Sequence, residues 1–178
     1  NAIYPGQFIP GRIEAIKNLT IALQETEDEF IQENFKVDIY SSNFTPPKFS
    51  ESEAKDIFNS YIETHTPLPP KEILQIVENH TFCLSINAKQ DAFAMGAKTF
   101  DYMLLGKPIL QIGPENSELS KLLEERGQYV ATFSIESIKK ALRRMRQDFR
   151  QSKIKMKEYP SFDLNNITDE LEKLLLSE

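Results

Sequence analysis

Short apolar runs alternate with longer amphipathic segments along this chain, and the alternation is its dominant pattern. Apolar runs bounded by turn residues predict six strands, at 1–4, 35–41, 61–64, 82–86, 109–112 and 129–133. Apolar residues spaced three and four apart predict helices at 12–24, 51–59, 71–79, 98–105, 117–126, 135–153 and 167–176. The acidic stretch 25–33 either continues the first helix or begins another.

The order of these elements predicts the fold class. Strands alternating with helices indicate an α/β protein with a doubly wound, mostly parallel, six-stranded Rossmann-like sheet and helices on both faces. The common strand order 3-2-1-4-5-6 places the first strand beside the fourth, and ligands bind such sheets beyond the carboxyl ends of the strands at this switch point. The loops 5–11 and 87–97 would then flank a crevice.

The second of these loops leads into the most informative segment, MGAKTFDYMLLGKPILQI at 95–112, which predicts a loop, a short helix and a buried strand. Gly96 and Ala97 open the helix, and free amides at a helix N-terminus form an anion site. Lys98 adds a positive charge, and Asp101 places a carboxylate one turn further on. Amides for phosphates beside a carboxylate for ribose hydroxyls would suit a nucleotide.

The first loop and the residue after it read PGQFIPGR, with Gly6 near the start, Gly11 near the end and Arg12 as the last residue. It could let a diphosphate approach the backbone, with Arg12 as a contact, or it could be a turn shaped only by glycine and proline. It matches neither the GxGxxG nor the Walker pattern, which argues against dinucleotides and NTPase activity. Lys98 and Asp101 also have plain alternatives, as a surface lysine and as an acid favoured by the helix dipole.

Cysteine and histidine usage limits the chemistry. The single Cys83 cannot form an internal disulfide, so we expect a cytoplasmic protein and a buried thiol. The two histidines, His65 and His80, have no spacing that predicts a metal site. His80 ends a helix, where it needs no function, whereas His65 follows the third strand and is a candidate ligand contact. No apolar run approaches the ~20 residues that cross a bilayer.

The net charge of −6 is distributed unevenly. Residues 139–157 hold nine of the 21 Lys and Arg residues but only one of the 27 acids, Asp148. A solvated helix face explains this most simply, and the alternative is attraction to an anionic surface such as the inner face of a membrane. The segment has few of the aromatic side chains that stack on single-stranded nucleic acid, so a nucleic-acid partner is not expected.

The segment AKTFDYMLLGKPILQIGPENSELSKLLEERG resembles the nucleotide-sugar-binding half of GT-B glycosyltransferases, which have two Rossmann-like domains. It looks most like the retaining family that includes sucrose-synthase-like and polysaccharide-building enzymes (glycosyl transferases group 1, family 4-like). The N-terminal YPGQFIPGR is similar to that family's first strand and glycine loop, with Arg12 at a basic position and Gln7 where arginine is common. The central motif is matched by Lys98, Asp101, Tyr102, Gly106, Pro108 and Gly113.

This resemblance implies roles for individual residues. Asp101 would hold the ribose hydroxyls, Arg12 and Lys98 would neutralise the diphosphate, and the loop 64–68 would lie near the base. Many relatives carry a second acid near the sugar, where this chain has Phe93, with Asp91 two residues away. The candidate nucleotide-sugar-binding residues are Gly6, Gln7, Arg12, His65, Asp91, Gly96, Ala97, Lys98, Thr99 and Asp101.

The resemblance also implies a domain organisation. Residues 1–178 would be one donor-binding domain, and the acceptor site would belong to an N-terminal domain of the same protein that this sequence lacks. The donor is a substrate, and neither a cofactor nor a metal is expected. Two alternatives stay open: a non-catalytic regulatory or scaffold module, suggested by Phe93 and Gln7, and a nucleotide-sugar epimerase, which would need more His and acid residues in the cleft.

Overall fold

The computed structural model describes residues 1–9, 11–47 and 52–153, with the backbone alone at 52–55. The predicted terminal helix at 167–176 therefore lies outside the described residues. The elements in chain order are β1 (Ala2–Pro5), α1 (Arg12–Gln24), α2 (Glu29–Asn34), β2 (Val37–Tyr40), α3 (Ser52–Tyr61), β3 (Ile62–His65), α4 (Pro70–Asn79), β4 (Phe82–Ile86), α5 (Ala97–Leu104), β5 (Ile109–Ile112), α6 (Glu118–Glu125), β6 (Tyr129–Ala131) and α7 (Ile135–Arg150).

The strands form one sheet in the order β3-β2-β1-β4-β5-β6, and every neighbouring pair is parallel. The predicted fold class, a doubly wound α/β sheet of Rossmann-like type, is confirmed together with its strand order. The sheet is fully parallel where the sequence indicated mostly parallel. Parallel pairing requires each connection to cross over a face of the sheet, so the helices cover both faces.

Alternate residues of the strands serve two separate cores. Ile3 and Ile109 pack with Val77 of α4 and Met103 of α5, whereas Leu110 belongs to the opposite core. That larger core is completed by buried residues of α1 and α7, namely Ala15, Ile16, Leu19, Leu23, Ile138, Leu142 and Met145. Burial of the strands on both faces explains their near-continuous apolar sequence. Among the described residues, no helix combines the length and apolarity needed to span a membrane.

Of the two possibilities that the sequence left for the stretch after α1, the structure shows a new helix, α2, because the Asp28 carboxylate accepts a hydrogen bond from the Ile31 amide. Several element boundaries differ from the sequence prediction. Tyr61 ends α3 instead of opening β3, because its buried ring packs into the larger core. The strand β6 ends at Ala131, since the next residues form the cap of α7, in which the Ser137 amide donates to the Ser134 hydroxyl.

The connection from α4 to β4 is held by a buried lysine. The Lys107 ammonium donates to the carbonyl oxygens of Glu78 and His80, at 2.5 and 2.9 Å. A cation at the last carbonyls of a helix compensates both its dipole and its unpaired acceptors. The neighbouring Cys83 is fully buried, and burial raises the pKa of its thiol to about 12 in spite of the Lys107 charge.

The central strands should dominate stability. Leu110 is completely buried in β5, whereas Leu104 at the end of α5 is 39% exposed. We expect Leu110→Ala to lower the free energy of unfolding by about 2–5 kcal/mol, because it removes buried methyl groups and leaves a cavity. Urea denaturation measures this, with Leu104→Ala as the control, for which we expect less than about 1 kcal/mol. Equal losses in both variants would contradict the described burial.

Candidate functional site

Two adjoining cavities lie beyond the carboxyl ends of β1 and β4, at the switch point of the sheet. The inner cavity, of about 420 Å³, lies between the β1–α1 loop and the start of α5. The outer cavity, of about 270 Å³, extends from there toward β2 and α4. The two share five lining residues, Pro5, Gly6, Gln7, Lys98 and Tyr102. Sites of this kind commonly hold small molecules in α/β proteins.

The β1–α1 loop folds over the ring of Tyr4. A Cβ atom on Gly6 would lie 2.9 Å from atoms of that ring, so only glycine fits there without a shift. Arg12 donates from Nη1 to the Gln7 carbonyl oxygen at 3.0 Å and to the Tyr4 hydroxyl at 3.3 Å. Its buried Nε has no hydrogen-bond partner among the described residues. The guanidinium is therefore fixed in the cavity wall and keeps donor capacity for an anion.

The opposite wall of the inner cavity is the N-terminus of α5. Its N-cap, Gly96, provides no side-chain hydrogen bond, so the first amides of the helix are not capped by their own cap residue. Thr99 is fixed by a 3.0 Å hydrogen bond between its hydroxyl and that of Ser85. The loop before α5 is fastened by buried Asn87, whose Nδ2 donates to the Ala94 carbonyl oxygen at 2.8 Å. This wall combines small residues with a helix dipole, as anion sites do.

Lys98 lies where the two cavities meet. Its ammonium donates to the Pro5 carbonyl oxygen, and burial together with the nearby Arg12 charge lowers the pKa of Lys98, while Asp101 raises it. Asp101 lines the outer cavity on the next turn of α5. Partial burial raises the pKa of Asp101, and the Lys98 charge opposes this shift. Positive groups thus face the inner cavity, and a carboxylate faces the outer one.

Most of the predicted site residues meet in this crevice. The inner cavity is lined by Gly6, Gln7, Arg12, Gly96, Ala97, Lys98 and Thr99, and the outer cavity by Asp101. Two predicted residues are not brought there. Asp91 lies in the turn after Asn87, outside both linings, and Phe93 beside it is 86% exposed. His65 also lies outside both linings and contacts Asp38 instead.

Several lining residues were not predicted from the sequence. Tyr4, Ser85 and Asn87 contribute polar atoms to the inner cavity, and each sits at the carboxyl end of a strand on the central pair. That position is the signal that could have identified them. The outer cavity also has an apolar wall from α4 and the turn before it, consisting of Pro67, Leu68, Pro70, Ile73, Leu74 and Val77. Of these, Pro67 and Leu68 belong to the loop 64–68, which the resemblance placed near the base.

The sequence also did not predict a polar cluster on the α4 face of the sheet edge. The Asp38 carboxylate contacts Nε2 of His65 at 2.9 Å and Nε2 of His80 at 2.8 Å. Burial opposes ionisation of Asp38, but the hydrogen bonds from both histidines hold its pKa below the usual value. His80 thus has a partner that its position at a helix end did not suggest. The cluster is assembled from three separate elements, so sequence spacing could not show it.

The fold and the site together define an α/β protein with a basic crevice at the switch point of a doubly wound parallel sheet. Neither a scan against protein-family models nor a search of curated proteins finds a match to this chain.

Gly11 and Gly127 both have positive φ, but only Gly11 lies close to another segment of the chain. Alanine variants at the two positions therefore distinguish the cost of backbone strain from the cost of a steric contact. Gly11 (φ 95°) precedes α1, and a Cβ there would lie 3.2 Å from the Ala88 Cβ, whereas Gly127 (φ 70°) has open space. Both alanine variants should lose about 1–2 kcal/mol of unfolding free energy, the cost of a left-handed residue. We expect Gly11→Ala to lose more, because it also pushes the two crevice loops apart. Chemical denaturation measures both variants, and a larger loss for Gly127→Ala would refute this.

Proposed function

We propose that this chain is the donor-binding domain of a glycosyltransferase and that the crevice binds a nucleoside-diphosphate sugar. The observation that carries the proposal is the combination at one switch point of an uncapped helix N-terminus, two cations and a carboxylate. Fold alone does not define a function, so these groups, and not the sheet, support the proposal. The resemblance of the central motif to GT-B enzymes favours the same ligand.

The two cavities suit different parts of such a ligand. The diphosphate would occupy the inner cavity, where Arg12 and the amides of α5 offer donors, and Lys98 would turn to it from the Pro5 carbonyl. The ribose hydroxyls would donate to Asp101, which lines the next cavity along. The base would lie against the apolar wall of the outer cavity, to which Leu68 and Ile73 belong.

The same groups would help the reaction. In glycosyl transfer an acceptor oxygen bonds to the anomeric carbon and loses its proton, while the bond from that carbon to the diphosphate breaks. Negative charge then develops on the departing diphosphate, and donors fixed in advance stabilise it. Arg12 is held in place by Tyr4 and Gln7 before any ligand binds, so little reorganisation is needed. The acceptor would be bound by a second Rossmann-like domain of the same protein, facing these carboxyl ends.

A non-catalytic module is the second candidate. In this chain Phe93, which stands where many relatives have an acid near the sugar, is exposed and lies outside the cavity linings. Asp91 does not replace that acid in the crevice. This supports a domain that retains nucleotide binding without turnover, or one whose site has decayed. An epimerase is the weakest alternative, because the described crevice residues include one carboxylate and no histidine.

Calorimetric titration with UDP, GDP, ADP and inorganic pyrophosphate tests the proposal on the whole chain. We expect one of the nucleotides to bind, and Arg12→Gln to weaken both that nucleotide and pyrophosphate about 10- to 100-fold, since it removes charge-assisted hydrogen bonds. Asp101→Asn should weaken the nucleotide by a similar factor but leave pyrophosphate unchanged, because only the nucleotide has ribose hydroxyls.

The control for this experiment is Asp91→Asn, which removes a nearby carboxylate that lines neither cavity and should leave every affinity unchanged. If no nucleotide binds, the proposal fails and the decayed module is favoured. If a nucleotide binds equally well to wild type and Asp101→Asn, the ribose role of Asp101 is wrong.

We also propose that α7 contacts an anionic membrane surface. Lys140, Arg143 and Arg150 are exposed and follow one face of this helix, with Gln147 between them. Three other cations of α7 have partners within the chain: Lys139 Nζ lies 3.0 Å from Glu136, Arg146 Nε lies 3.6 Å from Asp28, and Arg144 donates to the Gly127 carbonyl oxygen at 3.1 Å. Each Lys or Arg close to an anionic leaflet contributes about 1 kcal/mol of binding free energy.

Vesicle co-sedimentation tests this second proposal. We expect binding to vesicles with anionic lipid and none to neutral phosphatidylcholine vesicles, and binding that falls steeply with salt. The double variant Lys140→Gln, Arg143→Gln should reduce the bound fraction several-fold, whereas Lys121→Gln on α6 should not. Equal binding to both vesicle types would contradict an electrostatic contact.

A further inference from the structure

Three potential metal ligands lie together at the β3 edge of the sheet, and none of them lines either cavity of the crevice. Asp38 and Glu63 are paired in register on β2 and β3, and His65 lies two residues beyond Glu63, so all three face the same side. Their ligand atoms all lie within 4.8 Å of one another. His80 approaches the same carboxylate from the end of α4, with Nε2 2.8 Å from Asp38 Oδ2.

His80 holds the second oxygen of the Asp38 carboxylate. Its Nε2 lies 2.8 Å from Asp38 Oδ2, and its Nδ1 lies 2.8 Å from the Ile76 carbonyl oxygen. The ring therefore joins the carboxylate to the last turn of α4 and fixes the direction in which Asp38 presents its other oxygen.

We propose that Asp38, Glu63 and His65 form a zinc site, in which His80 orients the Asp38 carboxylate. One imidazole and two carboxylates are nitrogen and oxygen ligands that Zn²⁺ accepts, and three protein ligands leave one position of a tetrahedral ion open. Outer partners such as His80 commonly hold metal-binding groups in place. The proposal is independent of the crevice and of any glycosyltransferase activity.

The spacing of the ligand atoms suits this ion. A tetrahedral Zn²⁺ with bonds near 2.0 Å separates its ligand atoms by about 3.3 Å. His65 Nε2 lies 2.9 Å from Asp38 Oδ1 and 4.0 Å from Glu63 Oε1, so the first separation is shorter and the second longer than the tetrahedral one. Side-chain movement is easiest at Glu63, which is 75% exposed, whereas Asp38 and His80 are largely buried. The ion would tie the edge strand β3 to β2.

The site also touches one wall of the outer cavity. The ring of Tyr40 stacks on that of His65, with centroids 4.5 Å apart and an angle of 17° between the planes. Tyr40 lines the outer cavity. A metal that fixes His65 would therefore fix the tyrosine ring as well.

Zinc titration of the whole chain by calorimetry tests the proposal, with Co²⁺ as a spectroscopic substitute. We expect one ion per chain and a rise in melting temperature of about 5 °C at a hundredfold excess over the dissociation constant. Asp38→Asn should weaken zinc binding by at least the roughly 10- to 100-fold that even outer-shell partners contribute. Glu72→Gln, which removes an exposed acid in the first turn of α4, is the matched control and should bind as wild type does.

A second measurement needs no variant. Because the chain has two histidines in all, the imidazole nitrogens give two sets of NMR signals, and zinc should shift the Nε2 signal of His65. Zinc binding that leaves the imidazole signals unchanged would overturn the proposal. So would the absence of binding, or equal affinity in wild type and Asp38→Asn.

Discussion

The pairing of β1 with β4 is the contact on which the rest of the molecule depends. It joins two halves of the sheet whose crossovers run in opposite directions, and its register consists of Ala2 with Phe82 and Ile3 with Cys83. The neighbouring pair β1 and β2 is aligned over four positions. Beyond Ile3 and Cys83, the continuing residues of both strands, such as Tyr4 and Ser85, line the inner cavity. The crevice is thus a consequence of how briefly these two strands pair.

The same geometry explains what the sequence could and could not predict. The six strands, their order and the two crevice loops follow from periodicity and from a topological rule, which are local and general properties. Tyr61 shows where this approach fails, because an aromatic residue favours strands by propensity, yet tertiary packing holds it at the end of α3. Element boundaries depend on such packing, which no local pattern contains.

Some candidate site residues are brought together by local sequence and others only by the fold. Gly96 to Thr99 and Asp101 lie at the start of one short helix, so local sequence alone indicates that they are close in space. Arg12 joins them because the switch point brings its loop to the same crevice, which the strand order predicts. The cluster of Asp38 with His80 depends on how the end of α4 packs against β2, and residues 42 apart in sequence gave no sign of it. Asp91 lies outside both cavity linings for a similar reason, because sequence spacing does not determine the conformation of a loop.

Burial of Cys83 has a practical consequence for studying this molecule. The thiolate is the reactive form of cysteine, and a thiol whose pKa is raised to about 12 is almost wholly protonated at neutral pH. The natural cysteine is also shielded completely from solvent. A cysteine introduced at a chosen surface position would therefore be the only readily alkylated thiol. Fluorescent or spin labels could be attached near the crevice or the edge cluster without first removing the native residue.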